Sequence, residues 1–152
     1  MAGFTNRGKY FILDAFYRAA TEVTNFYIAL IVSTIAPTAD TNTFADVTEI
    51  AAGNGYAAGG TSLTPGATDF DVLTEDDTND RALVQLKDIV WTASSGNIPA
   101  SGNGARYAIL TDDNATQANR RIINYWDLVS DRTVSDGQSL TLQDCEARFN
   151  EI

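Results

Sequence analysis

Residues 81–93 read Arg81-Ala82-Leu83-Val84-Gln85-Leu86-Lys87-Asp88-Ile89-Val90-Trp91-Thr92-Ala93. A half-buried strand places every second side chain on one face. Simple alternation fails here, because Val84 and Leu86 then share a face with Asp88. Counting Lys87-Asp88 as one position aligns Ala82, Val84, Leu86, Ile89, Trp91 and Ala93 on a single face. A β-bulge does this: two residues oppose one, and the side chains that follow are re-aimed. The spacing predicts an antiparallel strand bulged at Lys87-Asp88, with Trp91 in the core.

The same rhythm continues on the C-terminal side. Ala105, Tyr107 and Ile109 alternate with Arg106 and Ala108. In residues 121–129, Ile122, Trp126 and Leu128 fall on one face and Ile123, Tyr125 and Val129 on the other, so both faces are apolar. Leu140 and Leu142 change phase at Gln143-Asp144 before Cys145, Ala147 and Phe149, which predicts a second bulge or bend. Clusters of Gly, Asn, Asp and Ser separate these runs, as turns between antiparallel strands require.

On the N-terminal side, Phe26, Ile28, Leu30 and Val32 alternate with Tyr27, Ala29 and Ile31, the pattern of a strand covered on both faces. Residues 7–20 lack Pro, follow Asn6 as an N-cap, and set Ile12, Leu13, Phe16 and Ala19 against Arg7, Asp14 and Arg18. This is a helix. Residues 43–50 accommodate one short helical turn. Gly53-Asn54-Gly55-Tyr56 opens a turn in which glycine supplies positive φ. The reading is mainly β: a single domain over 1–152, with an arm and helix in 1–22 and a two-sheet antiparallel sandwich or jelly roll in 23–152. It comprises an N-terminal α-helix, an early strand and about five or six later strands.

Composition removes several functions. The chain has no His and one Cys, which excludes His-dependent catalytic dyads, an internal disulfide and a cysteine-rich zinc site. Twenty acidic against ten basic residues, a net charge of −10, argue against nucleic acid and anionic membranes as partners. The apolar run at 26–32 is too short to span a bilayer, and Asp14 and Arg18 interrupt the only stretch resembling a signal peptide. A soluble protein made in a cytoplasm is expected.

Sharper motifs fail on context. Gly3-Phe4-Thr5-Asn6-Arg7-Gly8-Lys9-Tyr10 approaches a phosphate loop, but Tyr10 stands where Ser or Thr should ligate Mg²⁺ and no strand precedes it. Asp69, Asp71, Glu75, Asp76, Asp77 and Asp80 suggest Ca²⁺, yet counting from Asp76 the sixth position is Arg81, where an EF-hand needs Gly. An irregular oxygen site stays open beside the simpler reading of a solvated acidic loop. Trp91 and Trp126 suit core or interface better than a sugar platform, and Cys145 alternates with apolar residues as a buried thiol does. No catalytic, cofactor-binding or metal-binding residue is assigned, and the chain is not read as an enzyme.

The order of signals resembles a family of small tailed-bacteriophage virion proteins. The resemblance rests on Phe4-Thr5-Asn6-Arg7-Gly8-Lys9 with Leu13-Asp14, on Thr24-Asn25-Phe26-Tyr27-Ile28-Ala29-Leu30, and on Gly53-Asn54-Gly55-Tyr56. It continues through Trp91, Arg106-Tyr107-Ala108-Ile109-Leu110, Tyr125-Trp126-Asp127-Leu128 and Val134-Ser135-Asp136-Gly137-Gln138-Ser139-Leu140. The acidic stretch 69–80 and the lack of a basic residue soon after Tyr56 depart from that pattern. The resemblance implies a jelly-roll-like virion structural protein. A capsid decoration (cement) protein is the first expectation, and a tail fibre or baseplate appendage with receptor or glycan binding is the alternative. Implied partners are the major capsid protein or other virion proteins, with a homo-oligomer (trimer or dimer) as the working state and no cofactor. The expected interface comprises Phe4, Arg7, Lys9 and Tyr10 on the aromatic, basic N-terminal segment, with Ile123 and Tyr125 on the doubly apolar strand.

Overall fold

Ile28, Leu30 and Val32 bury on one side of the early strand and Ala29 and Ile31 on the other, as its unbroken apolar run demands. A computed structural model of the chain describes residues 2–150. Its first layer is a five-stranded antiparallel sheet ordered β1 (Ala2–Phe4), β8 (Ile122–Arg132), β7 (Ala105–Thr111), β2 (Phe26–Ile31), β3 (Thr61–Leu63). The second layer contains β4 (Val72–Asp76), β5 (Arg81–Gln85) and β10 (Glu146–Asn150) in one sheet, ordered β10-β5-β4, and β6 (Ile89–Thr92) paired with β9 (Ser139–Leu142). The fold is a mainly β sandwich with one N-terminal helix, α1 (Asn6–Arg18). The main core joins Leu30, Ala108 and Trp126 of the first layer to Leu86, Trp91 and Leu142 of the second. A smaller cluster on the outer face of the five-stranded sheet packs Ile109, Ile122 and Tyr125 under Phe44 and Val47, beside a single 3-10 turn at Phe44–Asp46. The strands β1, β3 and β4 go beyond the sequence pattern, each being short or largely exposed.

The phase slip at Lys87-Asp88 is real, but it is not a one-sided bulge. Gln85 pairs with Glu146, and Ile89 pairs with Leu142. Equal stretches therefore intervene on the two strands, 86–88 facing 143–145. The two slips read separately in the sequence are opposite sides of one break in a single ladder. Leu86, Ile89, Trp91 and Ala93 are buried as expected, whereas Ala82 is exposed. The backbone of the break is satisfied by Leu86 N–H donating to the Cys145 carbonyl at 2.9 Å and Lys87 N–H to the Asp69 carbonyl at 3.0 Å.

The β7–β8 ladder shifts register at two places, between Ala105 and Tyr107 and between Leu110 and Thr111. Leu110 pairs with Asn124 and Thr111 with Ile122, leaving Ile123 as the extra residue. The faces expected from alternation are corrected accordingly: Ile122 joins Tyr125 in the outer cluster, and Ile123 turns toward the inner side with Leu110.

Thr5, not Asn6, caps the helix. Its Oγ1 accepts the Gly8 N–H at 2.8 Å, while its hydroxyl donates to the Ile122 carbonyl. A Cβ on Gly8 would lie 2.2 Å from the Ile123 carbonyl oxygen, so only glycine lets α1 approach β8 this closely.

Candidate interaction surface

Close approach at Gly8 decides which side of α1 faces inward. Phe11, one turn on, is buried with the Arg121 guanidinium 4.2 Å from its ring centre. The opposite stripe, at i, i+3 and i+7 spacing, is Tyr10, Leu13 and Tyr17, and Phe16 stands beside it. These side chains are exposed, Phe16 to 80% and Tyr17 to 75%. Leu13, Phe16 and Ala19 were expected on the buried side, and all three are exposed. The helix carries two apolar stripes, and Gly8 was the signal that separates them: a residue without Cβ marks the face where backbones touch. Phe16 and Tyr17 lie edge to face with ring centres 5.0 Å apart. The Arg7 guanidinium sits 5.7 Å from the Tyr10 ring centre, adding positive charge to the same face.

The expected interface residues divide. Arg7, Lys9 and Tyr10 are exposed on α1. Phe4 is not free: β1 pairs with β8, and its ring stacks on Phe149 at 4.5 Å. Ile123 and Tyr125 are buried, at 4% and 9% exposure, within the same chain: Tyr125 under Phe44 and Val47 on the outer face of β8, and Ile123 on the inner side beside Leu110 and Phe11. The doubly apolar strand is thus hidden by its own chain at Ile123 and Tyr125, whereas Val129 stays exposed.

The other marked residues are occupied structurally. Trp91 donates its indole N–H to Thr61 Oγ1 at 3.0 Å and Trp126 to the Glu146 carbonyl at 3.0 Å; both rings are core. In the acidic stretch, Asp69 is ion-paired with Lys87 and accepts the Thr64 N–H at 2.7 Å, while Asp76 pairs with Arg81 at 2.8 Å. Lys87 beside Asp69 holds its carboxyl below the usual range. Asp71, Glu75, Asp77 and Asp80 remain exposed. Among the described residues no group of three or more His, Cys, Asp or Glu side chains could hold a metal ion, and no helix is long and apolar enough to cross a membrane. Gly55 adopts φ +105° within a turn closed by Gly53 and Tyr56, which confirms the turn reading of the glycine run. Tyr56 hydroxyl donates to Glu49 at 2.8 Å and accepts the Leu30 N–H at 2.9 Å; burial first, then the Glu49 charge, pushes its pKa up.

No family model matches the chain, and comparison with curated proteins and with solved structures gives no significant match.

Proposed function

We propose that this protein is a structural component of a tailed-bacteriophage virion, a capsid decoration protein that attaches through the exposed face of α1. The supporting observation is that face itself. Tyr10, Leu13, Phe16 and Tyr17 present a contiguous apolar and aromatic ridge to solvent, on a helix anchored to β8 at Gly8 and Thr5. Exposed large apolar side chains gathered on one rigid element mark a protein–protein surface rather than a monomer's exterior. The polar work of the remaining candidates is internal, and the acidic surface keeps the unassembled protein soluble. On this reading the partners are the major capsid protein and further copies of the chain, and the active form is a symmetric oligomer on the head.

The edge-to-face pair Phe16–Tyr17 also supports the alternative, a tail appendage whose aromatic ledge stacks on a glycan. Quantitative mass spectrometry of purified particles separates the two. Hundreds of copies per virion, lost from the Phe16→Ser/Tyr17→Ser variant at unchanged melting temperature, is the expected result. A handful of copies would favour the appendage. Absence from the particle, or wild-type occupancy of the double variant, would overturn the attachment role.

A further inference from the structure

The two layers of the sandwich part company at the end nearest α1. One wall of the resulting cleft is Phe26, Leu110 and Ile123; the other is Leu73, Val84 and Ala147, which form one cross-strand row of β4, β5 and β10. The cleft measures about 460 Å³. Protein interiors are close-packed, and an apolar cavity of roughly 150 Å³ already takes up benzene. Leu73 belongs to the inward-facing row and is nevertheless 82% exposed, because nothing among the described residues closes over it. Beside it runs the outer edge of β4. That strand ends its sheet, and among the described residues its only strand partner is β5. Its edge amides and carbonyls stand ready to pair with an added strand. The strand is bordered by acids: Asp71, Glu75, Asp77 and Asp80, on β4 or beside its ends, are exposed, while Arg81 and Lys87 are engaged by Asp76 and Asp69.

We propose that β4 and this cleft form a strand-acceptor site for an extended segment of a partner protein. Backbone pairing with β4 sets the segment's direction, and alternate large apolar side chains drop into the cleft past Leu73. The acids bordering β4 select Lys or Arg at the segment's flanks. The site rests on the cleft and the free edge alone and stands whether or not the protein is part of a virion.

The probe is a synthetic peptide, KVTVTFK, tested against KTVVFTK, which has the same composition without alternation. Hydrogen exchange read by NMR reports on the amides of 72–76, and a fluorescence titration reports affinity. The alternating peptide should slow exchange of those amides at least tenfold, the control should not, and Leu73→Asp should weaken binding at least tenfold. Leu73 is exposed, so that variant should keep its melting temperature, and higher salt should weaken the wild-type complex. Unchanged exchange at 72–76 with saturating peptide would overturn the proposal. So would equal binding of the control peptide or unchanged affinity of Leu73→Asp. Filling of the cleft by dodecanoate without protection of those amides, and without peptide binding, would assign it to a small apolar ligand instead.

Discussion

The Leu86 N–H donates to the Cys145 carbonyl at 2.9 Å, and this bond carries the β5–β10 register across the break into the β6–β9 ladder. It also fixes the Cys145 side chain in the main core, between the layers. Burial, with smaller contributions from Asp144 and Asp88, pushes the thiol up to about 12. Since the thiolate is the reactive form, Cys145 should react with an aromatic disulfide reagent at pH 8 roughly a thousandfold more slowly in the native protein than in denaturant. Labelling at a comparable rate in both states would mean that the break opens readily.

The N-terminal arm is docked on β8, so truncating it should cost stability. Deleting residues 1–6 removes the β1–β8 ladder, the Phe4–Phe149 stack and the Thr5 cap. A cap contributes about 1 kcal/mol and an aromatic pair about 1 kcal/mol. A melting temperature lower by roughly 4–8 °C is expected for a chain of this size. An unchanged value in differential scanning calorimetry would show that the arm is undocked in solution and free for a partner.

The strand content was legible because one face of each long strand meets the other layer, so that period-2 patterning survives in 26–32 and 105–109. Phase slips were legible too, but not their meaning. A slip at 87–88 and another at 143–144 look like two bulges until pairing shows them opposite each other. The bulge at Ile123 leaves no trace, because Ile122, Ile123, Tyr125 and Trp126 are apolar whichever face they take. The exposed face of α1 was half legible: Arg7, Lys9 and Tyr10 came from composition, whereas Leu13, Phe16 and Tyr17 were hidden by a helix apolar on two sides. The β4 edge gave no signal, since an exposed strand rich in acids reads as loop.

Asn124 sits in one row with Phe4 and Leu110, fully buried, and its side-chain amide has no hydrogen-bond partner among the described residues. A buried unpaired amide costs about 1–3 kcal/mol. Asn124→Val should therefore stabilise the protein by about 1 kcal/mol and raise the melting temperature by roughly 2–4 °C, provided the larger side chain packs. Asn124→Ala controls for fit. Destabilisation by both variants would show that the amide is bonded in solution.

Acid should destabilise the fold through carboxylates that are engaged in it. The Asp69 carboxyl is lowered chiefly by its bond to Lys87, then by the Thr64 amide; Asp127 is lowered chiefly by Arg106, then by the Val129 amide. For Asp113 burial works upward, but the Thr24 hydroxyl and the Thr24 and Asn25 amides prevail and hold it down. A group whose pKa is lower folded than unfolded adds its full stability above the unfolded value, about 4, and loses it as pH falls through the folded value. With no His in the chain, the melting temperature should be flat from pH 8 to 5 and fall below about pH 4. The net charge of −10 shrinks to zero near pH 4.2 and turns positive below it, so the self-repulsion of the ten basic residues adds to the loss of the engaged carboxylates in the acidic window. Asp69→Asn should lower the melting temperature at pH 7 by roughly 2–4 °C, for about 1 kcal/mol from a half-exposed charged bond. That deficit should shrink as pH falls below about 4 and the wild-type carboxyl takes up its proton. A deficit that persists undiminished at pH 2 would mean that Asp69 acts through packing rather than through its charge.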